Sequence, residues 1–346
     1  MTKATRSSKK VTRLGIDIAK NTFQLHGVNC YDKPILTKSV TRKKLLEFTA
    51  NLPKCTIGME ACGGAHYWAR KFQKQGHEVK LVAAKFVKPY VKNNKNDARD
   101  AEAICEVISR PRTHFVTVKT HEQHDIQSLH RVRQNIQQMR TAQSNQIRGL
   151  LAEYGIVMPK GSEILRNNLP EILEDADNEL TVLFRDLLGT LYDFLLQLDK
   201  RQSDIDKRIE LFCRNNDICS RLTEIRGIAF ITATALYAAA GNGRQFKNGR
   251  TMSSWLGLVP RQYSTGGKNT LLGISKRGNR YLRTLLLNGG RVIVQHSERS
   301  TDRISRWARD LKIRRGYNKA SVACANKISR IAWVIMQSDA HYKVAA

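Results

Sequence analysis

Four acidic residues are spaced so that they can act together. Asp17 stands in the short apolar run Leu14-Gly15-Ile16-Asp17-Ile18-Ala19, and Glu60 in the matching run Ile57-Gly58-Met59-Glu60-Ala61. A carboxylate among apolar neighbours is costly unless it is paired, lies at a strand edge or holds a cation. Asp97 and Asp100, in Asn96-Asp97-Ala98-Arg99-Asp100-Ala101, are three residues apart and share one face of a helix. Four hard oxygen donors suit Mg²⁺ or Mn²⁺. Two such ions stabilise the attacking and leaving oxygens in phosphodiester chemistry. Taken singly, each acid has a plainer account: a turn for Asp17, a salt bridge for Glu60, the helix dipole for Asp97 and Asp100. Their joint order, strand, strand, helix, is what points to metal.

A second stretch carries a hydroxyl. Pro260-Arg261-Gln262-Tyr263-Ser264-Thr265-Gly266-Gly267-Lys268 runs on through Ser275-Lys276-Arg277-Gly278-Asn279-Arg280 to Arg283. Paired glycines let a backbone approach a phosphate. Arg261, Lys268, Lys276, Arg277, Arg280 and Arg283 supply positive charge around them, in which a hydroxyl is a candidate nucleophile at phosphorus. The plainer account is a turn followed by a basic DNA-binding helix, with Ser275 capping a helix that starts near Lys276. Residues alone favour that account. Arg314, Arg315, Lys319, Lys327 and Arg330 extend the basic surface, and Trp255, Tyr263, Tyr281 and Trp307 are candidates for stacking on bases, or for core packing. Leu222–Ala229 has the hydrophobic-x-Gly pattern of a helix-hairpin-helix.

Charge sets the partner. The 346 residues hold 59 Lys plus Arg against 30 Asp plus Glu, a net +29. A surplus of that size expects a polyanion, and nucleic acid is the usual one. From Arg261 to Ala346 there are 18 basic residues against 4 acidic, which marks a docking surface. From Glu163 to Glu210 the balance reverses, 12 acidic against 6 basic, so this stretch reads as a spacer or protein–protein element. No apolar run approaches the roughly 18 residues of a spanning helix, and no membrane partner is expected. The start, Met1 to Arg13, is basic and polar without an apolar h-region, so no signal peptide is expected; Lys3, Arg6, Lys9, Lys10 and Arg13 read as a phosphate-touching or simply solvated tail. Seven scattered cysteines without a C-x-x-C pair support neither a zinc knuckle nor a disulfide framework and suit a reducing cytoplasm. His114, His121, His124 and His130 lack partners at zinc spacing.

The elements that must position these groups follow from periodicity. Strands are expected at Leu14–Ala19, Phe23–Val28, Ile35–Val40, Cys55–Ala61 and Glu78–Ala84, and helices at Thr41–Ala50, Gly63–Gln75 and Asp97–Arg110: a mixed sheet with helices. Two long amphipathic helices follow, one through Ile126–Met139 and one through Leu180–Phe212, an antiparallel or coiled-coil-like pair joined by Pro159–Pro170. The last third is mainly helical. The division expected is residues 1–118, an α/β domain; 119–213, a helical spacer; and 214–346, a helical, basic domain.

The segments Gly-Ile-Asp-Ile-Ala-Lys, Gly-Met-Glu-Ala-Cys-Gly and Asn-Asp-Ala-Arg-Asp-Ala-Glu-Ala resemble, in this order, the RuvC-like DEDD domain of the Piv/MooV-type insertion-sequence transposases, now known as bridge-RNA-guided recombinases. The resemblance covers nearly the whole chain. It implies an RNase H-like fold whose four acids, here Asp17, Glu60, Asp97 and Asp100, bind the catalytic divalent metals. Glu102 is not claimed by the motif. The stretch around Tyr263–Lys268 is similar to that family's C-terminal transposase domain, in which a serine links covalently to DNA; the match falls on Ser264, with Thr265 as alternate. Arg315–Ala320 also looks like the family. The resemblance further implies donor and target DNA, a structured guide RNA, a dimer assembling to a tetramer, and a bacterial, nucleoid-associated cytoplasmic setting. Alternatives are a metal-only nuclease of the Holliday-junction-resolvase kind, a site-specific invertase, or a non-enzymatic nucleic-acid-binding protein on a nuclease-like fold.

Overall fold

The computed structural model describes residues 10–91 and 97–343; the tail residues Lys3, Arg6 and Lys9, the motif residue Asn96 and the side chain of Asp97 lie outside the described part. The chain forms two compact units, residues 1–119 and 120–346.

The first unit is a six-stranded mixed sheet in the order β3-β2-β1-β4-β5-β6. Its strands are β1 (Arg13–Asp17), β2 (Thr22–Val28), β3 (Pro34–Thr41), β4 (Thr56–Glu60), β5 (Glu78–Val82) and β6 (Phe115–Val116). The β1/β2, β2/β3 and β5/β6 pairs are antiparallel, while β1/β4 and β4/β5 are parallel. Helices α1 (Leu45–Ala50), α2 (Ala65–Lys74), α3 (Ala84–Val87) and α4 (Asp97–Val107) accompany them. The mixed sheet with helices is the architecture expected from sequence. The helix expected from Thr41 begins only at Leu45, because β3 runs on to Thr41 in pairing with Thr22.

Side chains alternate across a strand, and the two faces have different partners. Leu14, Ile16, Ile57, Met59 and Leu81 join Trp68 and Phe72 of α2 in one core. Val82 packs with Ala103, Ile104 and Val107 of α4 on the other face. Parity therefore sends Gly15, Asp17, Gly58 and Glu60 to the α4 side.

The second unit is almost wholly helical. Helix α5 (His121–Ala152) opens with a capping box, in which Thr120 and Gln123 exchange hydrogen bonds. It packs against α7 (Val182–Asn215); Arg133 pairs with Asp206, Arg140 with Asp199, and Gln143 reaches the Leu191 carbonyl. Partners descend on α7 as they ascend on α5, so the two helices are antiparallel. The acids of this stretch are thus partly neutralised by arginines of the neighbouring helices. Between them the Pro159–Pro170 connection is not a plain linker, because α6 (Ser162–Glu174) passes through Pro170. Proline removes one helical N–H, and the Tyr192 hydroxyl donates to the Arg166 carbonyl that this leaves without its usual donor (3.3 Å).

The remaining helices are α8 (Asp217–Thr223), α9 (Phe230–Ala240), α10 (Gly249–Trp255), α11 (Arg280–Gln295), α12 (Arg303–Arg315) and α13 (Tyr317–Gln337), with the hairpin β7 (Pro260–Thr265) and β8 (Lys268–Ile274) between α10 and α11. Their common core includes Leu222, Leu236, Met252, Leu286, Ile293 and Ile328. Gly227, the glycine of the helix-hairpin-helix-like segment, lies against Gly289 of α11, and a Cβ on either would strike the other's carbonyl. Its role here is to let two backbones touch. No described helix is long and apolar enough to cross a membrane.

Of the four clustered histidines, His130 is buried; its two ring nitrogens meet the Tyr281 hydroxyl (2.9 Å) and Thr234 Oγ1 (3.0 Å). Burial, and then the nearby Arg133, push its pKa down to about 4. A histidine depressed on folding supplies stability that is complete above its unfolded pKa of about 6.5 and is lost as pH falls toward 4. We expect a loss of roughly 3 kcal/mol between pH 7 and pH 4 from this group. Urea unfolding at the two pH values checks it: His130→Gln should flatten that part of the pH dependence, and an unchanged slope would refute the assignment.

Candidate active site

Two glycines seat the acidic site. Gly15 and Gly58 are register partners on the parallel β1/β4 pair. A Cβ on Gly15 would overlap the Ala101 carbonyl and the Cys105 backbone, and a Cβ on Gly58 would overlap Ile108 and touch Ile104. Helix α4 therefore rests directly on a flat strip of backbone. Its direction follows from its neighbours. Arg13, His26 and Asp32, at the opposite end of β1 from Asp17, share a cavity of about 260 Å³ with Glu102, Cys105 and Glu106 of α4. The helix thus runs against β1, and its first turn, Asp97–Asp100, points toward the ends of β1 and β4 where Asp17 and Glu60 stand. Glu102 faces the other way along the helix, into that separate cavity.

Asp17 and Glu60 occupy equivalent places, each closing its strand one residue past the Ile16–Met59 register pair. Both are half-buried, as is Asp100. Their shared space is marked by Cys62 in the loop after β4. Desolvation raises its thiol pKa, the Glu60 carboxylate raises it further, and Asp17 adds to the same effect, although the residue is exposed at the surface. The parallel register of β1 and β4, with Ile16 opposite Met59, places Asp17 and Glu60 at neighbouring strand ends. Among the described residues, which omit the Asp97 side chain, no three His, Cys, Asp or Glu side chains are gathered closely enough to hold a metal ion. The donors present are hard carboxylates at one end of the sheet, a chemistry that fits a divalent cation. Cys62 and the glycine seat were not singled out from sequence. The signal for the seat was the repeated Gly-x-acid spacing, Gly15-Ile16-Asp17 and Gly58-Met59-Glu60. We expect Gly15→Val to destabilise the first unit by about 3 kcal/mol or more, through backbone overlap with α4. Loss of its urea transition at unchanged concentration of denaturant is the reading; a wild-type midpoint would show that the helix does not sit there.

The candidate nucleophiles lie on the second unit, and not in a loop. Gly266 and Gly267, both at positive φ (54° and 76°), make a two-residue turn that joins β7 to β8. Every residue of β7 is exposed. Alternation then separates the two hydroxyls. Ser264 shares a face with Gln262, and its register partner is Asn269. Its hydroxyl donates to Asn269 Oδ1 (2.7 Å) and accepts from Gln262 Nε2 (2.7 Å), which also donates to Asn269 Oδ1 (3.0 Å). Thr265 points to the opposite face, with Tyr263. Neither amide partner was foreseen; the Gln-x-Ser spacing and the two-residue turn are the signals that would have found them.

Of the cations expected to meet nucleic acid, Arg261, Lys268, Lys276, Arg277, Arg280, Arg314, Arg315 and Lys319 are exposed. Arg283 is not. It is 8% exposed and donates to the Leu256 carbonyl (3.2 Å) and toward that of Arg277 (3.5 Å), tying the segment after β8 to the turn after α10. Nor does Ser275 cap a helix. Its N–H donates to Val259, and α11 starts at Arg280 with the Asn279 side chain accepting from Tyr281 and Leu282. The start is delayed because Lys276 and Gly278 take positive φ where the chain passes tightly over Trp255–Gly257. Tyr281 is engaged with His130, so packing accounts for it; Trp255 lies against Phe246 but stays 36% exposed, and Tyr263 stays 64% exposed.

Two family profiles match the chain. A DEDD transposase profile covers residues 14–156, and one described as a transposase of the IS116/IS110/IS902 family covers residues 219–305. Along nearly its full length the chain is similar to curated proteins. It is 43% identical to a probable family 20 transposase of Pseudomonas aeruginosa, over 96% of this chain and 99% of that one. It is 42% identical to the transposase for insertion sequence element IS1111A of Coxiella burnetii, over 99% and 94%. The chain belongs to the IS110/IS116 family of DEDD insertion-sequence transposases. A third relative, the transposase for insertion sequence element IS1328 of Yersinia enterocolitica, is 40% identical over 94% of this chain and 96% of its own. The protein is thus a DNA transposase. The mixed sheet and mainly helical remainder are consistent with a DEDD nuclease-like fold, and a DEDD transposase domain implies a divalent metal.

Proposed function

We propose that this transposase is an RNA-guided recombinase that cuts and rejoins DNA through a covalent phosphoserine at Ser264. The observation that carries the reading is the Ser264 hydroxyl, held by Asn269 and Gln262 on an exposed hairpin beside a double-glycine turn. An amide oxygen orients a hydroxyl without taking its proton, so Asn269 fixes the Ser264 O–H while Gln262 occupies one of its lone pairs and the other stays open. In the step itself the Ser264 Oγ–P bond forms and the P–O bond to the departing deoxyribose breaks. The departing oxygen leaves as a hydroxyl with a proton, and Ser264 gives up its own. Reversal with another strand's hydroxyl rejoins DNA without loss of the phosphodiester. Arg261, Lys268, Lys276, Arg277 and Arg280 balance phosphate charge on this surface.

Asp17, Glu60, Asp97 and Asp100 would hold Mg²⁺, or Mn²⁺. When bound, the ions supply charge stabilisation to the attacking and leaving oxygens. The hydroxyl and the acids belong to different units of the fold. The assignment of residues 1–118, 119–213 and 214–346 to nuclease, spacer and serine-bearing parts follows the same reading. Val182, Leu183 and Leu187 on the outside of α7 are exposed apolar residues suited to joining subunits, in line with a dimer that assembles to a tetramer. The +29 surplus leaves room for a structured guide RNA beside donor and target DNA in a bacterial, nucleoid-associated setting. Sequencing of the nucleic acid that copurifies with the protein tests the guide: a discrete structured RNA is expected, and recovery of DNA alone from active protein would sink RNA guidance.

A further inference from the structure

A cavity of about 1000 Å³ in the second unit opens at the root of the serine hairpin, where Pro260 and its register partner Ile274 form part of its wall. Its apolar lining includes Trp307, Val322, Ile331 and Val334. Arg250, Lys319, Lys327 and Arg330 share that lining, and no acidic residue does. Among the described residues none of these four cations is in an ion pair. Lys327 Nζ lies 4.5 Å over the Trp307 ring. The groove is built into the fold. Ser253 and Ser329 hydroxyls bond each other (2.7 Å), Asn326 donates to the Leu258 carbonyl (3.3 Å), and Gly249 allows α10 to touch the Arg330 backbone of α13.

Two occupants fit this lining poorly. A duplex presents phosphates outward and would leave the apolar lining in water. An apolar peptide would bury four cations without a counter-charge, which is expensive. Unpaired nucleotides satisfy both, with bases against the apolar and aromatic lining and phosphates on the cations. We propose that the groove binds an unpaired segment of DNA beside the scissile phosphate. Ser264 lies four residues along β7 from Pro260, about 13 Å away, within reach of a strand that continues into the groove. The choice of DNA over RNA rests on the Ser264 reading; the choice of unpaired nucleotides does not.

Fluorescence anisotropy of the full chain with a labelled oligothymidylate of about 12 nucleotides tests this, beside a blunt duplex and an oligouridylate of the same length. The double variant Lys327→Gln, Arg330→Gln should weaken oligothymidylate binding about tenfold, with a far smaller effect on the duplex. The slope of log K against log salt should fall by about 1.4, at roughly 0.7 per single-strand phosphate contact. The charge-keeping pair Lys327→Arg, Arg330→Lys should bind as wild type, which separates lost contacts from misfolding. A strand bearing 5-iododeoxyuridine should crosslink to peptides from Arg303–Gln337. An unchanged affinity, an equal loss on duplex and single strand, or crosslinks confined to other segments would overturn the groove. Tighter binding of oligouridylate would overturn its assignment to DNA. The binding arms are repeated with Ser264→Ala, which should bind normally, so failure of the serine chemistry and failure of the groove give different results.

Discussion

Ser264→Ala should eliminate strand cleavage, by about four orders of magnitude or more, while Thr265→Ala should cut at close to the wild-type rate. The asymmetry comes from the hairpin. Ser264 is clasped by Asn269 and Gln262, and Thr265 lies on the other face. A single oxygen is removed from an exposed surface, so the fold should be untouched and the urea midpoint unchanged. Denaturing a reaction in progress should leave DNA attached to the wild-type protein, through the peptide that contains Tyr263–Lys268. Cleavage by the Ser264→Ala protein, or products carrying only free 3′-hydroxyls under conditions that support recombination, would remove Ser264 from the chemistry. Asn269→Ala is the finer probe. It leaves the hydroxyl in place but unaimed, so the rate should fall while DNA affinity holds.

Asp17→Asn and Glu60→Gln should each lower cleavage by about 10³-fold, the equivalent of ~4 kcal/mol of charge stabilisation. Each replacement keeps shape and removes one negative charge. Both carboxylates are half-buried at the ends of β1 and β4, and each replacement is isosteric, so the urea midpoint should stay close to wild type in the variants. Manganese binding followed by electron paramagnetic resonance gives a readout independent of turnover, and affinity should fall at least about tenfold. Full activity of either variant, or unchanged manganese binding by both, would leave the paired acids without a metal role. Treatment with a chelator should silence the wild-type enzyme, with recovery on adding Mg²⁺ or Mn²⁺.

Much of this was legible in the chain itself. Strand and helix periods located β1, β2, β3, β4, β5 and α4 to within a few residues, because alternation and 3.6-residue spacing are local properties. Local rules failed where a contact from far along the chain decided the matter. Ser275 and Asn279 are both good caps, and only the tight passage of Lys276–Gly278 over Trp255–Gly257 selects the later one. Arg283 reads as one more cation in a basic run until the carbonyls of Leu256 and Arg277 are seen to claim it.

The four acids show the same division. Their types, their apolar settings and the three-residue step between Asp97 and Asp100 pointed to metal-dependent phosphodiester chemistry, because a carboxylate in such a setting must be compensated and the helical step is local. That Asp17 and Glu60 stand side by side was decided by the parallel register of β1 and β4. That the first turn of α4 points toward them was decided by the glycines at 15 and 58, which let the helix lie on bare backbone. Register and close approach join residues more than forty positions apart, and no spacing within the chain encodes them.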